Sequence, residues 1–129
     1  MTRVITFGTY DLFHVGHLNM LKRAKALGTY LAVGVSSDEL NIEKKERTPI
    51  YPLKQRLAIL RALKCVDEVF VEESLEKKAE YCKSYDDIFV IGDDWRGKFD
   101  HIKTDSLDVI YLPHTPEIST TEIINKIKG

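Results

Sequence analysis

The sequence predicts an α/β protein, a single doubly wound (Rossmann-like) domain over residues 1–129 with a five-stranded parallel sheet. Strand-like and helix-like segments alternate about five times along the chain, which is the pattern of repeated β–α–β units. The strand-like segments are short and continuously apolar, as expected for parallel strands that helices cover on both faces. A length of 129 residues suits one domain of ordinary size.

Two strands and one helix are predicted for the first part of the chain. Residues 4–7 (VITF) form a β-branched and aromatic run that ends at Gly8, and residues 30–35 (YLAVGV) form a second run. Between them, a helix is predicted from about Gly16 until Gly28 ends it. Its apolar residues recur at helical spacing, and they are Leu18, Leu21, Ala24 and Leu27.

The rest of the chain continues the alternation. The strongly charged residues 43–47, followed by prolines, predict a mobile surface loop. Pro52 favours the first turn of a helix, whose apolar residues are Leu53, Leu57, Leu60 and Leu63. Further strands are predicted at residues 68–71, 88–91 and 109–112, and further helices at residues 75–85 and 120–128.

Composition excludes several classes of protein. Nineteen basic and 20 acidic residues give a formal charge of -1, which argues against a protein that coats nucleic acid. No apolar run approaches the ~20 residues that span a bilayer, and the amino terminus does not resemble a signal peptide. Two cysteines, Cys65 and Cys82, do not make a disulfide framework. We therefore expect a cytoplasmic protein without nucleic-acid or membrane partners.

Paired histidines stand in the loop after the first strand. In a doubly wound sheet, ligands bind at the carboxyl ends of the strands, where the strand order reverses. The loop at residues 8–17 (GTYDLFHVGH) contains neither G-x-G-x-x-G nor a Walker A lysine. Instead, His14 and His17 fall on one side of a first helical turn, and Gly16 admits a ligand close to the backbone. The helix terminus favours phosphate, and two imidazoles can donate to its oxygens as charge accumulates on a reacting phosphorus.

Two other interpretations of the histidines are open. They are ordinary surface or helix-capping residues, or they bind zinc. Zinc is disfavoured because the sequence has no third ligand at a usual spacing and lacks H-E-x-x-H.

Two later loops carry further polar motifs. Residues 118–121 (ISTT) precede the last predicted helix, where hydroxyl groups either cap the helix or bind phosphate oxygens. Residues 92–100 (GDDWRGKFD) contain three aspartates and Trp95, which is the only tryptophan of the chain. The alternative for this loop is a packing tryptophan among turn-forming aspartates.

These motifs resemble those of the nucleotidyltransferases that carry a His-x-Gly-His motif. That superfamily includes cytidylyltransferases, adenylyltransferases of coenzyme synthesis and, more distantly, class I aminoacyl-tRNA synthetases. The motif HVGH alone indicates α-phosphate chemistry without naming a substrate, whereas ISTT resembles the second signature of cytidylyltransferases. The strings GTYDL, GDDWRGKFD and YLP (residues 111–113) closely resemble the glycerol-3-phosphate cytidylyltransferases, and this resemblance extends from about residue 4 to residue 127.

The resemblance implies an activity and a set of site residues. Members of this family transfer CMP from CTP to glycerol 3-phosphate, and they release pyrophosphate and CDP-glycerol for polymer synthesis. The implied catalytic residues are His14, His17 and Lys44. The implied nucleotide-binding residues are Thr9, Tyr10, Asp11, Gly16, Lys45, Arg47, Gly92, Asp94, Trp95, His114, Ile118, Ser119, Thr120 and Thr121. The implied acceptor-binding residues are Lys44, Arg56, Lys64 and Lys78. A homodimer is expected, and Mg²⁺ is expected on the nucleotide phosphates, without direct ligation by side chains.

The chain departs from the family pattern at two positions of the predicted site. His114 and Lys64 stand where the family has arginine, which offers a permanently charged bidentate fork. Another phosphorylated polyol or a phosphonate is therefore an alternative acceptor. A nucleotide-binding module without catalysis and an adenylyltransferase are the alternative functions.

Some individual assignments also have plainer alternatives. Residues 44–47 are alternatively a solvated charged loop, and Lys78 is alternatively a plain surface lysine. Asp11 either orients a histidine or a metal-bound water, or it structures its loop.

Overall fold

Five strands form one parallel sheet in the computed structural model, which describes residues 1–45, 48–74, 77–82, 86–113 and 120–128. The strands are β1 (Arg3–Gly8), β2 (Tyr30–Ser36), β3 (Glu68–Glu72), β4 (Ile88–Gly92) and β5 (Asp108–Leu112). Their order is β3-β2-β1-β4-β5, and each neighbouring pair is parallel. The predicted fold class is therefore confirmed, and the strand order reverses between β1 and β4.

In the described part of the chain, four helices lie between strands and a fifth follows the last strand. They are α1 (Val15–Ala26), α2 (Asp38–Lys45), α3 (Leu53–Arg61), α4 (Lys78–Tyr81) and α5 (Thr120–Lys128). Two short 3₁₀ turns, Asp93–Trp95 and Asp100–Ile102, lie between β4 and β5. Within the described ranges, none of these helices has the length and apolar character needed to cross a bilayer.

Apolar clusters cover both faces of the sheet. One contains Val4 of β1 together with Leu21 of α1 and Leu60 of α3. The other contains the next residue of β1, Ile5, together with Phe99 and other aromatic residues. Because successive residues of a strand point to opposite faces, a strand that is covered twice must be apolar throughout. This is the physical origin of the continuous apolar runs in the sequence.

The prediction of a mobile loop at residues 43–47 is wrong for residues 43–45, which belong to α2. The hydroxyl of Ser37 accepts a hydrogen bond from the Leu40 amide at 3.1 Å, which caps the start of this helix. Asp38 and Glu39 place negative charge in its first turn, where the helix dipole favours it. Residues 46 and 47 lie outside the described residues.

The helix predicted at residues 75–85 is shorter in the part that the structure describes. It covers Lys78–Tyr81, and Cys82 leaves it with extended backbone angles of φ -73° and ψ 110°. The chain then reaches Asp87, whose carboxylate accepts the Arg3 amide of β1 at 2.8 Å. This tertiary contact sets where the chain must return, which helical spacing alone does not show. Residues 75, 76 and 83–85 lie outside the described residues.

Candidate active site

The loop between β1 and α1 (residues 9–14), called the histidine loop below, lies at the carboxyl edge of the sheet, beside the position where the strand order reverses. β1 is the central strand and pairs with β2 on one side and β4 on the other. The loop therefore opens above the crevice in which doubly wound proteins bind their ligands.

His14 and His17 form the start of α1. His14 is the N-cap residue, and its Nδ1 accepts a hydrogen bond from the Gly16 amide at 3.0 Å. The Nδ1 of His17 accepts one from the His14 amide at 3.2 Å, so the two side chains make a reciprocal capping box. The two rings stack with their centroids 3.9 Å apart and their planes 23° from parallel. The sequence brings the pair together as predicted, and its capping alternative describes the same residues correctly.

The hydrogen bonds of this capping box select one tautomer of each histidine. A neutral imidazole has one nitrogen that accepts and one that donates. Since each Nδ1 accepts a backbone N–H, each neutral ring carries its proton on Nε2. The capping contacts thus leave the proton of each neutral ring on Nε2, and the Nε2 atom of His14 is buried. They also fix the two rings in position before a ligand arrives.

The Tyr10 ring packs against the His17 ring. The Tyr10 side chain is buried in the core, and its ring meets the His17 ring edge-on at a centroid distance of 5.6 Å. Burial, opposed by a hydrogen bond with Thr6, raises the pKa of the Tyr10 phenol, so this side chain stays neutral. A Cβ atom on Gly8 would lie only 2.8 Å from the Tyr10 ring, so glycine is needed where the tyrosine folds back. The structure therefore shows Tyr10 as a core support, and contact with a nucleotide stays a prediction.

The backbone of this loop is strained. Tyr10 and Leu12 have φ values of 56° and 47°, in the left-handed region that side chains other than glycine rarely adopt. Each such residue costs roughly 1–3 kcal/mol and persists only where surrounding contacts hold it. The contacts that hold this loop therefore bear directly on the position of the histidines.

Asp11 provides one of these contacts. Its carboxylate accepts hydrogen bonds from the backbone amides of Ile50 at 2.7 Å and Tyr51 at 2.8 Å. It also accepts the Leu12 amide at 3.0 Å. Asp11 is buried, and these contacts agree with the loop-structuring alternative. A direct role in nucleotide binding stays a prediction.

A buried polar network lies beneath Thr9. The Thr9 hydroxyl donates to Asn41 Oδ1 at 2.8 Å and accepts from the Ser36 hydroxyl at 3.2 Å. The Asn41 amide group in turn donates to Ser36 Oγ at 2.9 Å. Motif reading did not single out Ser36 and Asn41 as site residues. The available signal was polar residues directly after the apolar run of β2, where a buried position demands hydrogen-bond partners.

Three predicted acceptor-binding residues occupy different environments. The Arg56 side chain has 0% exposure and donates to groups around the histidine loop. Lys78 is also buried and forms an ion pair with Glu72, so the alternative of a plain surface lysine is wrong. Lys64 is exposed in the turn before β3, at the amino end of the strands and thus away from the histidines.

Trp95 lies beyond the end of β4. Gly92 ends that strand at the edge that carries the histidines, and Asp94 is exposed in the following 3₁₀ turn. The half-buried Trp95 packs against Phe99, with ring centroids 5.4 Å apart, and joins the second apolar cluster. This contact agrees with the packing alternative for Trp95, while nucleotide binding by this loop stays a prediction.

The remaining predicted site residues fall largely outside the described side chains. The structure describes only the backbone of Lys44 and Lys45, which lie in α2, and of Thr120 and Thr121, which begin α5. The predictions for Arg47, His114, Ile118 and Ser119 lie outside the described residues.

The donor set can be compared with what Mg²⁺ requires. In the described ranges, no three His, Cys, Asp or Glu side chains cluster as a metal site of the protein would need. The Asp11 carboxylate is engaged by the backbone amides named above. A cation carried on the nucleotide phosphates needs no such cluster, so the residues present are compatible with that expectation, which stays a prediction.

Fold and site together define an α/β nucleotidyltransferase-type protein. A doubly wound parallel sheet presents paired imidazole donors and a helix N-terminus at its switch point, which suits the phosphates of a nucleotide. The cytidylyltransferase-like family matches residues 5–126, and the chain belongs to this family.

Curated relatives are similar to this chain over nearly its whole length. A glycerol-3-phosphate cytidylyltransferase of Bacillus subtilis (strain 168) is 46% identical over 100% of this chain and 99% of its own length. A second, from Bacillus spizizenii, is 49% identical over 95% of each chain. The crystal structure of a lipopolysaccharide core biosynthesis protein from Thermoplasma volcanium aligns with a TM-score of 0.69 and 27% identity, over 87% of this chain and 97% of that one. The resemblance found in the sequence motifs is thus confirmed.

Proposed function

We propose that the protein transfers CMP from CTP to glycerol 3-phosphate and releases pyrophosphate and CDP-glycerol. The observation that carries this proposal is the similarity over the whole chain to glycerol-3-phosphate cytidylyltransferases, at 46% identity in one case. The geometry of the histidine pair supports it, because two imidazole donors stand at the start of a helix on the ligand-binding edge.

The reaction needs charge neutralisation more than proton transfer. The acceptor phosphate has a second pKa near 6 and is largely a dianion at neutral pH, so it attacks without a general base. One of its oxygens bonds to the α-phosphorus of CTP while the bond to the pyrophosphate oxygen breaks on the opposite side. Two polyanions must be held in line against their repulsion, so catalysis depends on positioning and electrostatics.

His14 and His17 supply donors to the reacting phosphate. Their backbone contacts set each neutral ring with its proton on Nε2, and the two rings stack on the same helix turn. We place these donors on the oxygens of the α-phosphate, where negative charge increases in the transition state. Because the rings are already fixed by the capping box, little reorganisation accompanies the reaction.

Cationic and hydroxyl groups complete the proposed site. Lys44, with Lys45 or Arg47, bridges the attacking and α-phosphates. The hydroxyls of Ser119 and Thr120 and the N-terminus of α5 hold the departing pyrophosphate. Mg²⁺ bound to the nucleotide phosphates supplies further positive charge when present. His114 contacts the outer phosphates in place of arginine, whereas Lys64, at the opposite edge of the sheet, takes no part in the proposed site.

Pyrophosphate release tests the proposal. The wild-type protein should release pyrophosphate from CTP only when glycerol 3-phosphate is added, and His17→Ala should lower turnover by about 10²–10³ at saturating CTP. His101 is an exposed histidine outside the site, so His101→Ala is the matched control and should keep normal turnover. Near-normal turnover of His17→Ala would remove His17 from the mechanism.

The same assay separates the alternative functions. Replacing CTP by ATP distinguishes an adenylyltransferase, and a panel of phosphorylated polyols and phosphonates identifies a different acceptor. A nucleotide-binding module would bind CTP and release no pyrophosphate with any acceptor. We also propose that the protein is cytoplasmic and forms a homodimer. Light scattering on the purified protein would test the homodimer.

A further inference from the structure

Arg56 of α3 is buried beneath the catalytic edge of the sheet. Among the described residues, it has the largest of the fully buried side chains, with 0% exposure. Nε donates to the Tyr51 carbonyl at 3.0 Å, and Nη1 donates to the carbonyls of Thr9 at 3.0 Å and Ser36 at 2.7 Å. Nη2 donates to Asp38 Oδ1 at 2.6 Å. One guanidinium group thus joins the histidine loop, the end of β2, the start of α2 and the segment before α3.

These contacts engage most of the donors of Arg56. A guanidinium group has five N–H bonds and no acceptor. The four hydrogen bonds named above engage Nε, both hydrogens of Nη1 and one hydrogen of Nη2. The side chain also lacks exposure to solvent, so it does not present a fork to an acceptor phosphate in this structure.

We propose that Arg56 is a positioning residue that holds the histidine loop at a set distance from α2, the helix that carries Lys44. This inference rests on the proposed function, in which His14, His17 and Lys44 act on the same phosphates. Arg56 acts beside the hydrogen bond from the Thr9 hydroxyl to Asn41, which also joins this loop to α2.

The strained backbone of the histidine loop supports this role. The Thr9 carbonyl belongs to the peptide group that precedes Tyr10, whose φ is 56°. Arg56 therefore holds the peptide plane next to a conformation that needs external restraint. Tyr51 is held from both sides, because Asp11 accepts its N–H and Arg56 donates to its carbonyl. Asp38 closes the arrangement by also accepting the Leu53 amide through its second oxygen, at 3.4 Å.

Arg56→Lys tests the proposal with conserved charge. A lysine has three donors at one point and does not reach four acceptors in different directions. We expect kcat to fall about 100-fold, as displacement of catalytic groups by ~1 Å does, with the KM for glycerol 3-phosphate changed less than about threefold. Amide hydrogen exchange at Ile50 and Tyr51 should accelerate at least tenfold, because the segment that Arg56 and Asp11 hold together is loosened.

Arg3→Lys is the matched control. Arg3 also ties separate segments through ion pairs, to Glu68 at 3.4 Å and Asp86 at 3.5 Å, but it lies at the amino end of β1. It should lower the melting temperature while kcat stays within about twofold of the wild type, because the histidine loop lies at the other end of the sheet. If Arg3→Lys lowers kcat as much as Arg56→Lys does, the effect is general loss of stability and the proposal is wrong.

Other outcomes are equally decisive. Normal kcat with a KM for the acceptor raised tenfold or more would make Arg56 a direct acceptor contact and overturn the proposal. If Arg56→Lys does not fold, Asp38→Asn replaces it and should lower kcat about tenfold through the same tie. If the wild-type protein has no activity on these substrates, the proposed function fails. Faster exchange at Ile50 and Tyr51 in Arg56→Lys, absent in Arg3→Lys, would still support the positioning role, and unchanged exchange would refute it.

Discussion

Replacing Lys78 by methionine would leave a buried carboxylate without its cation. The side chains of Lys78 and Glu72 are 4% and 1% exposed, and Lys78 Nζ pairs with Glu72 Oε2. The other oxygen, Oε1, is buried and has no hydrogen-bond partner among the described residues. Burial lowers the pKa of Lys78, while the negative charge of Glu72 opposes that shift. The pair therefore depends on mutual neutralisation in a poorly hydrated place.

The expected loss of stability is large. Removing one member of a buried ion pair costs about 3–5 kcal/mol, since the other charge stays buried and uncompensated. For a chain of 129 residues this corresponds to a melting temperature lower by roughly 10–20 °C. Methionine fills the hydrocarbon volume near the Phe7 and Phe99 rings, whose centroids lie 4.4 Å and 5.5 Å from Lys78 Nζ. A cavity therefore contributes little to the loss.

A double-mutant cycle in urea measures this coupling. The free energy of unfolding is determined for the wild type, Lys78→Met, Glu72→Leu and the double variant. The double variant should lie closer to the wild type than either single variant, because two apolar side chains need no neutralisation. Lys103→Met is the control, since Lys103 and Asp108 form an exposed pair at 3.9 Å that contributes little. Additive losses in the cycle, or a loss below about 1 kcal/mol for Lys78→Met, would refute the reasoning.

Three smaller perturbations test other contacts. Gly8→Ala puts a methyl group 2.8 Å from the Tyr10 ring. This overpacking should lower the free energy of unfolding in urea by about 1–3 kcal/mol and reduce pyrophosphate release. A fully active and fully stable variant would contradict this. Burial disfavours ionised Asp67, but hydrogen bonds from Lys25 and a backbone amide outweigh it and lower its pKa. The stabilisation by ionised Asp67 is therefore complete above about pH 3.9, the pKa in the unfolded chain, and is lost as the pH falls through the lower pKa of the folded protein. The free energy of unfolding of Asp67→Asn should therefore be lower than that of the wild type at pH 7, and the two should become equal in acid. Burial, with the charge of Asp86, raises the pKa of Cys82 to about 12. In a variant that lacks Cys65, a disulfide reagent at pH 8 should therefore react with Cys82 only after unfolding. Fast reaction of the native protein would be the contrary result.

Local sequence patterns predicted most of the sheet and helix α1. The strands are apolar throughout because both faces are covered, so each appears as a separate run. Helix α2 was missed because its residues (DELNIEKK) are mostly polar and lack a clear apolar spacing. Its visible signal was Ser37 followed by two acidic residues, a helix start that motif reading passed over.

The candidate site divides in the same way. His14, Gly16 and His17 stand within one turn, so their spacing alone predicts a shared surface. Arg56 and Asp38 lie 18 residues apart, and they meet, with Arg56 also reaching the histidine loop, only because the folded chain brings α2, α3 and that loop together. A sequence pattern does not contain that contact, and the family resemblance implied that Arg56 binds the acceptor.

The amino-acid order by itself determined the parallel α/β architecture and the chemical type of the donors, because hydrophobic runs and closely spaced histidines act over a few residues. Tertiary structure alone decided which charged side chains turn inward. From the sequence alone Lys78 could lie on the surface, but in the folded protein it is buried beside Glu72, at the end of β3. Charged groups are stable inside a protein only where distant segments supply opposite charges or hydrogen-bond acceptors, and the folded chain sets those distances.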